Sequence, residues 1–483
     1  MQKILTKALM VAFITFIITQ LQAQTDTTKA KTTEGGQTPV ARTQDSLQTG
    51  TTASVTAPAV AAPKPANFLN ISVDMRTRAE FRHGYRNIPL KDTTPSFFIN
   101  QRTRLNVDFK TKRLDFYASL QDTRVWGQQD PREGQGGSGT TTTPATTFPV
   151  YFYEIYAEPH FNDKWSVRIG RQKISYDNQR LFAENDWRLP ANSHDAVRFI
   201  YNNKINLNTE LLFAFNQSAE NTFTTTYKPN VVNYKDLLVH YLSYKLSKTF
   251  ILTTINTMDG TQSAYNTKTT YQRFTSGGRL EYQTYNWYAT VAAYYQYGKD
   301  SSGKKLSAYY LQPELKYSSK TLSVRLGMEY LSGQDSTSSK DNNFVPLYGT
   351  AHRFMGNLDL FTTFPGDVKG GGLVNPYLFF QYTKNKWTVR LENHLFYAHT
   401  GFALKGMPAN NKYLGYENDW RINFKPTSVI DVEYGFCWAA VTNSMIEVRN
   451  SVKSKDDLSN YSKTPYWTYL SIRLTPVIGK FTF

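Results

Sequence analysis

The stretch from Ile71 to Arg82 reads ISVDMRTRAEFR, and its charged residues occupy alternate positions. The charged set is Asp74, Arg76, Arg78, Glu80 and Arg82, and the residues between them are Val73, Met75, Thr77, Ala79 and Phe81. Because successive side chains of a β-strand point to opposite faces, this period of two predicts a strand with one apolar and one charged face. So many guanidinium and carboxylate groups on one face favour an enclosed aqueous space over bulk solvent.

The first 66 residues differ from the rest of the chain in composition. Residues 1–23 carry two lysines before a short apolar run and a small-residue cleavage site, which predicts a secretory signal peptide. Residues 24–66 are rich in Thr, Ala, Pro and Gln, which predicts a disordered leader. The block 67–483 has no run of about 18 apolar residues, so we expect no helical membrane span. The lone Cys437 excludes an intramolecular disulfide.

The composition of this block favours a membrane barrel over a soluble domain. Removing the six basic and three acidic residues of the first 66 leaves 49 basic and 35 acidic residues, a net charge of +14. In a secreted chain this charge argues against nucleic acid and favours anionic solutes or surfaces. The whole chain has 33 Tyr, 30 Phe and 8 Trp, yet its mean hydropathy is only −0.50. Such a combination is typical of a barrel in which half of each strand faces water.

Alternating segments of roughly ten residues, long enough for a tilted bilayer crossing, recur about 18 times. Short turns alternate with long polar connections, so one rim of the sheet carries all the loops. The long connections are 84–96, 127–149, 171–194, 217–234, 259–272, 298–305, 332–371, 399–412 and 441–464. Several strands begin with an aromatic residue after a short turn, namely Trp165, Phe250, Trp287 and Trp387, as expected at a membrane interface.

These patterns predict an all-β fold, a transmembrane antiparallel up-and-down β-barrel of about 18 strands. Its long loops are expected outside the cell and its short turns in the periplasm, in the outer membrane of a Gram-negative bacterium. A barrel of this size is too wide for side chains to fill, so we expect a water-filled channel.

Charged residues on the lumen face are the candidate pore lining. They are Arg76, Arg78, Arg82, Arg102, Arg104, Arg168, Arg171, Arg180, Arg198, Arg325 and Arg390, interleaved with Asp74, Glu80 and Asp108. One interpretation is a structural ladder, in which arginine and carboxylate side chains pair between strands. The other is a selectivity path, in which arginines favour anions. The arginines of the first two strands form the densest group, and they predict anion selectivity there.

Several short motifs resemble the alginate export family of bacterial outer-membrane barrels. The stretch from Arg76 to Arg82 is similar to the first strand of that family. The central motif is matched by Gly170, Arg171, Gln172, Asp186, Trp187 and Asp195. The resemblance implies an 18-stranded monomeric barrel with an arginine-lined path for a secreted anionic polysaccharide. An exporter has to close when idle, and we expect closure by loops 127–149 and 332–371 or by the leader.

The sequence predicts no enzyme. It has no G-x-S-x-G elbow, and we expect no catalytic residues, no metal and no cofactor. The expected partners are outer-membrane lipid and an anionic or polar small solute or polysaccharide, with any periplasmic partner left open. Two alternatives are also consistent with the sequence. One is a structural or adhesive barrel that acts through its long loops, and the other is an outer-membrane lipid hydrolase.

Overall fold

The computed structural model describes residues 67–127, 150–217, 220, 222–223, 234–263, 266, 268–334, 337–401, 412–450, 452 and 456–483. The predicted signal peptide and leader, and nearly all of loop 127–149, lie outside these residues. The described strands form a single closed antiparallel sheet. No α-helix in the described ranges is long and apolar enough to cross a bilayer.

The strands follow one another around the barrel in chain order. They are β1 (Phe68–His83), β2 (Ser96–Lys110), β3 (Leu114–Val125), β4 (Val150–Pro159), β5 (Trp165–Gln172), β6 (His194–Asn202), β7 (Leu207–Phe215), β8 (Asp236–Lys245), β9 (Phe250–Gln262) and β10 (Thr270–Gln283). The others are β11 (Trp287–Lys299), β12 (Lys305–Ser318), β13 (Leu322–Leu331), β14 (Leu373–Lys384), β15 (Trp387–Tyr397), β16 (Tyr413–Thr427), β17 (Ile430–Val441), β18 (Tyr466–Leu474) and β19 (Val477–Thr482). Helix α1 (Asn443–Arg449) and two 3₁₀ turns, Gly366–Val368 and Asp456–Asn460, lie in the connections.

The barrel closes where β1 pairs with both β18 and β19. These two segments lie one after the other along the same edge of β1, separated by Thr475 and Pro476. Pro476 has no N–H to give to the ladder, so the strand is interrupted there. Its carbonyl still accepts a hydrogen bond from the Val73 N–H at 3.0 Å. The two segments therefore form a single crossing, which confirms the predicted 18-stranded barrel.

The outward-facing side chains form an apolar surface. Leu105, Ile169, Phe199, Leu211 and Leu326 lie within strands, yet each is 42–58% exposed. In water such a surface would drive association, whereas in a bilayer it is the side of the barrel that meets lipid. The prediction that the apolar faces of the strands meet lipid is confirmed, and the barrel is of the outer-membrane type.

The four interface aromatics begin their strands as the sequence predicts, and each packs against an aromatic ring of the next strand. The pairs are Trp165 with Tyr201, Phe250 with Tyr282, Trp287 with Tyr317 and Trp387 with Phe424. Their ring centroids are 4.4 to 5.0 Å apart. Repeated cross-strand aromatic pairs stabilise the sheet and mark the membrane boundary at the short-turn rim.

The interior differs from the open channel that the strand number predicts. Two connections fold from the long-loop rim into the lumen. They are loop L3, residues 173–193 between β5 and β6, and loop L7, residues 332–372 between β13 and β14. Entry of L7 agrees with the closing role expected for 332–371, whereas entry of L3 was not expected.

The apolar side chains of L3 and L7 form one buried cluster with α1 and the wall. It includes Ile174, Leu181, Phe182 and Trp187 of L3, Phe344, Phe354, Met355, Leu358 and Phe361 of L7, Met445 and Ile446 of α1, and Leu212, Leu237 and Tyr310 of the wall. These wall residues lie in the parts of their strands that are nearest the long loops. That part of the lumen is therefore packed with side chains.

Leu211→Arg tests the assignment of the two faces. An arginine on the lipid face near the middle of the bilayer is expected to lower the free energy of unfolding by about 2–4 kcal/mol. Asn208→Arg, on the lumen face of the same strand, is the matched control, with an expected change of about 0.5 kcal/mol or less. Urea unfolding in lipid vesicles, followed by tryptophan fluorescence, measures both. Equal destabilisation by the two substitutions would contradict the assignment.

Candidate functional site

Loops L3 and L7 pair with each other inside the lumen. The Ala183 N–H donates to the Tyr348 carbonyl at 3.1 Å, and the Tyr348 N–H donates to the Leu181 carbonyl at 2.9 Å. Gly349 permits this approach, because a Cβ at its position would overlap the carbonyl oxygen of Arg180. The two loops are thus joined by backbone hydrogen bonds, and fixing one of them also positions the other.

Three wall arginines hold L3 around Asp186. Arg76 donates to the carbonyl oxygens of Asp186 and Trp187, both at 2.9 Å. Arg102 forms a bidentate pair with the Asp186 carboxylate at 2.8 and 3.1 Å. Arg104 donates to Oδ1 of the same carboxylate at 2.6 Å. We call Arg76, Arg102 and Arg104 the arginine cluster. Charge-assisted and bidentate hydrogen bonds of this kind are among the strongest available to side chains.

The charge of Asp186 is set by the guanidinium groups around it. Arg473 of β18 lies 3.7 Å from its carboxylate and is itself paired with Asp74 at 2.8 Å. Burial raises the pKa of Asp186, but Arg102 and Arg104 lower it more, so that the pKa lies well below its usual range. Asp186 is therefore ionised at neutral pH, and the contact between L3 and the wall is an ion pair.

The next residue of L3, Trp187, packs against a further arginine. The Arg78 guanidinium lies 4.3 Å from the centroid of the Trp187 ring. The His352 ring of L7 stacks on Trp187 with centroids 4.3 Å apart. Glu80 holds Arg78 at 2.7 Å and Arg82 at 2.5 Å. A desolvated cation over an indole ring adds to the ion pairing and fixes the same part of the loop.

The arginines of β1 and β2 face the lumen, as predicted, but they contact L3 and little water. Arg76, Arg78, Arg102 and Arg104 are at most 6% exposed. A buried guanidinium is costly unless paired, so wall arginines and the polar groups of an entering loop satisfy one another. The structure thus gives these residues an anchoring contact, and their predicted effect on selectivity stays a prediction.

The other predicted lumen residues mostly pair across neighbouring strands, as a structural ladder would. Arg168 pairs with Glu158 at 2.7 Å, Arg198 with Glu210 at 3.4 Å, Arg325 with Glu314 at 3.7 Å and Asp108 with Lys110 at 3.8 Å, while Arg390 donates to Gln381 and Asn423, both at 2.8 Å. Arg180 lies within L3 and pairs with Glu329 of β13 at 2.8 Å. Pairing of this kind stiffens the wall and removes most of these charges from the path of a solute.

The prediction for Arg171 as a pore residue is wrong. Its side chain lies on the same face of β5 as Ile169, the outer face, and pairs there with Asp195 of β6 at 2.8 Å. Membership of a motif suggested the lumen, whereas strand alternation decides the face.

Two other motif residues belong to the base of L3. Gly170 has a φ of +125°, and a Cβ there would overlap the carbonyl oxygen of Ile155 on β4. Gln172 is fully buried and donates to the Ala196 carbonyl at 2.9 Å. Both residues fix the strand end from which L3 turns into the lumen, so these motif positions shape the scaffold.

A second charged group surrounds Arg353 of L7, and Arg325 is the one arginine of this group that the sequence predicted as a lumen residue. Arg279 of β10 pairs with Glu281 at 3.1 Å, and Arg325 of β13 pairs with Glu314 of β12. Arg353 lies beside these pairs, is partly exposed, and forms no hydrogen bond or ion pair with any residue that the structure describes. Burial and the neighbouring Arg325 lower the pKa of Arg353 to about 10, so it remains charged at neutral pH. Arg353 lies in an irregular loop, so no strand alternation could predict which way its side chain points.

No protein-family model and no curated protein matches the chain. Among solved structures it is similar to OccK9 (OpdG) of Pseudomonas aeruginosa, with 10% identity, 85% of this chain and 98% of that chain covered, and a TM-score of 0.54. The outer membrane protein opdK of Pseudomonas aeruginosa has 9% identity, coverages of 85% and 99%, and a TM-score of 0.53. OccAB1 of Acinetobacter baumannii has 9% identity, coverages of 85% and 97%, and a TM-score of 0.56. At these identities the likeness concerns the fold, and it does not support the alginate export family specifically.

Asp186→Asn tests the anchoring of L3. Removing one partner from a buried ion pair leaves the guanidiniums uncompensated, so we expect the free energy of unfolding to fall by about 3–5 kcal/mol. We also expect L3 to leave the wall and the single-channel conductance to rise. Because the pKa of Asp186 is lowered in the folded barrel, its contribution is complete at neutral pH and is lost only below about pH 4.

Asp195→Asn is the matched control, since it breaks an exposed Asp–Arg pair on the outer face. It is expected to cost about 1 kcal/mol or less and to leave conductance unchanged. Unchanged conductance and stability in Asp186→Asn would show that this carboxylate does not hold L3.

Proposed function

We propose that the barrel is an outer-membrane channel for small anionic or polar solutes, with Arg353 as the residue that contacts an anion in the lumen. The observation that carries this proposal is the charged guanidinium of Arg353 on L7, which has no hydrogen-bond or ion-pair partner among the described residues, on a residue that is itself partly exposed. A guanidinium presents five N–H donors in a planar fork, which fits a carboxylate or a phosphate.

The surroundings of Arg353 support an anion at this position. Three guanidiniums, those of Arg279, Arg325 and Arg353, face two carboxylates, Glu281 and Glu314. Asp177 also lies near Arg279, so the formal charges of this region balance. The anion site therefore depends on Arg353, whose own charge has no ion-pair partner among the described residues. Neighbouring acids weaken the hold on a bound anion, and a channel needs such weak binding for the solute to leave again.

The two inward loops favour a small solute over a polymer. L3 and L7 are joined to each other by backbone hydrogen bonds, and buried ion pairs fix L3 to the wall, so both loops narrow the lumen. Passage of an extended polysaccharide would require L3 to leave the arginine cluster. The monomeric state, the absence of catalysis and the alternative of an adhesive barrel stay predictions.

Arg353→Gln tests the proposal in planar bilayers. At low salt the wild-type channel is expected to prefer anions, because screening of exposed charges is then weak. A unit charge about 4 Å from a permeating ion contributes about 1 kcal/mol in water. We therefore expect Arg353→Gln to lower the anion-to-cation permeability ratio by about fivefold. The reversal potential in a salt gradient measures this ratio.

Arg353→Lys keeps the charge and is expected to keep most of the selectivity. Arg113→Gln removes the same charge from an exposed turn at the opposite rim and is expected to have little effect. A cation-selective wild type, or equal permeability ratios in Arg353→Gln and Arg113→Gln, would contradict the proposal.

A further inference from the structure

The wall beneath L7 contains a cluster of buried ionisable side chains on β15 and β16. Glu392 lies directly opposite Asp419 in the strand register, and His394 lies opposite Glu417. All four face the lumen and are at most 4% exposed. One potential ligand atom from each of Glu392, His394 and Asp419 lies within 4.8 Å of the other two. The buried Cys437 of β17 lies opposite Asp419 in the register of the next strand pair.

We propose that Glu392, His394 and Asp419 bind one divalent transition-metal ion, with Zn²⁺ as the best match. A set that mixes imidazole with carboxylates suits Zn²⁺ and its first-row neighbours. Ca²⁺ and Mg²⁺ prefer oxygen ligands alone. The sequence predicts no metal here, because these residues form no spacing motif and come together only through the pairing of two strands.

The orientation of His394 supports a metal ligand. The Asn375 side-chain amide donates to the Phe354 carbonyl at 2.7 Å, which fixes the direction of this amide. Its Oδ1 therefore lies 3.2 Å from His394 Nδ1 as an acceptor. Nδ1 must carry the proton, and Nε2 keeps its lone pair. Metal-binding histidines are commonly held in this way, with the other ring nitrogen donating to an oxygen.

The charge balance of the cluster also points to a cation. Four buried carboxylates face two guanidiniums here, namely Glu392, Glu417, Asp419 and Glu433 with Arg390 and Arg421. The excess of two negative charges equals the charge of one divalent ion. Asp419 Oδ1 and Glu417 Oε2 are buried and accept no hydrogen bond from the described residues. Uncompensated buried carboxylates are costly, and a bound cation would remove this cost.

The same carboxylates hold L7, so the metal would determine how this loop is attached. The Asn357 N–H donates to Asp419 at 3.0 Å, and the Leu358 N–H donates to Glu417 at 2.7 Å. Gly356 has a φ of +80°, and a Cβ there would overlap the Glu417 carboxylate. A metal ion that fixes Asp419 would thus stabilise the docked position of L7.

Refolding the barrel with and without Zn²⁺ tests this site. Protein is refolded from denaturant into detergent after treatment with EDTA, its folding is checked by heat-modifiable gel mobility, and bound metal is measured by mass spectrometry after desalting. The expected result is one Zn²⁺ per barrel and a higher melting temperature in its presence. His394→Gln should weaken Zn²⁺ binding by about 100-fold, and Asn375→Leu, which keeps every ligand, should weaken it by about 10- to 100-fold.

His240→Gln is the control, because this histidine lies on the outer face of β8, opposite Leu211, and contacts Thr209 away from the cluster; it should bind Zn²⁺ like the wild type. The alternative hypothesis is that two protons shared among the carboxyl groups, and not a metal ion, neutralise the cluster. Absence of bound Zn²⁺ in the folded wild type would support this alternative and overturn the proposal. Equal binding in His394→Gln and His240→Gln, or binding of Ca²⁺ but not Zn²⁺, would also overturn it.

Discussion

The ion pair between the Asp186 carboxylate and the arginine cluster is the contact on which the lumen depends. An 18-stranded wall encloses more space than its own side chains fill, so without an entering loop its arginines would face water. L3 supplies one carboxylate and several backbone carbonyls to these guanidiniums. Backbone hydrogen bonds join L3 to L7, so the contact that fixes L3 also fixes the position of L7. Arg353 lies on L7, so its place in the lumen also depends on this contact.

The lumen arginines fall into two groups, according to whether their guanidinium groups have polar partners. Their positions in the sequence do not separate the two groups. Arg76, Arg102 and Arg104 are buried against polar atoms, and they stabilise the loops. Arg353 lacks such a partner among the described residues, and it is the residue that we propose contacts a solute. The net charge of the chain does not separate these two roles, because a paired arginine and a free one count equally. Selectivity of a pore therefore has to be judged from individual contacts.

The sequence predicted the barrel well, because strand alternation, turn residues and interface aromatics are local features. The outward position of Leu211 and the place of Trp165 at the start of β5 follow from such features. The motif-based placement of Arg171 failed, because a shared motif does not determine which face a strand residue occupies. The inward fold of L3 could not be predicted, since it depends on contacts between Asp186 and residues about 80 to 110 positions away. Glu392 and Asp419 likewise meet only through strand pairing.

Hydrogen exchange of the loop amides tests the central claim most directly, because it reports whether L3 and L7 are docked in the folded barrel. The amides of Ala183, Tyr348 and Leu358 donate to loop or wall acceptors inside the lumen. Peptides that cover residues 174–187 and 348–361 should exchange nearly as slowly as the strands of the wall. Exchange as fast as that of the exposed turn at 203–206 would show that the loops are not held in the lumen.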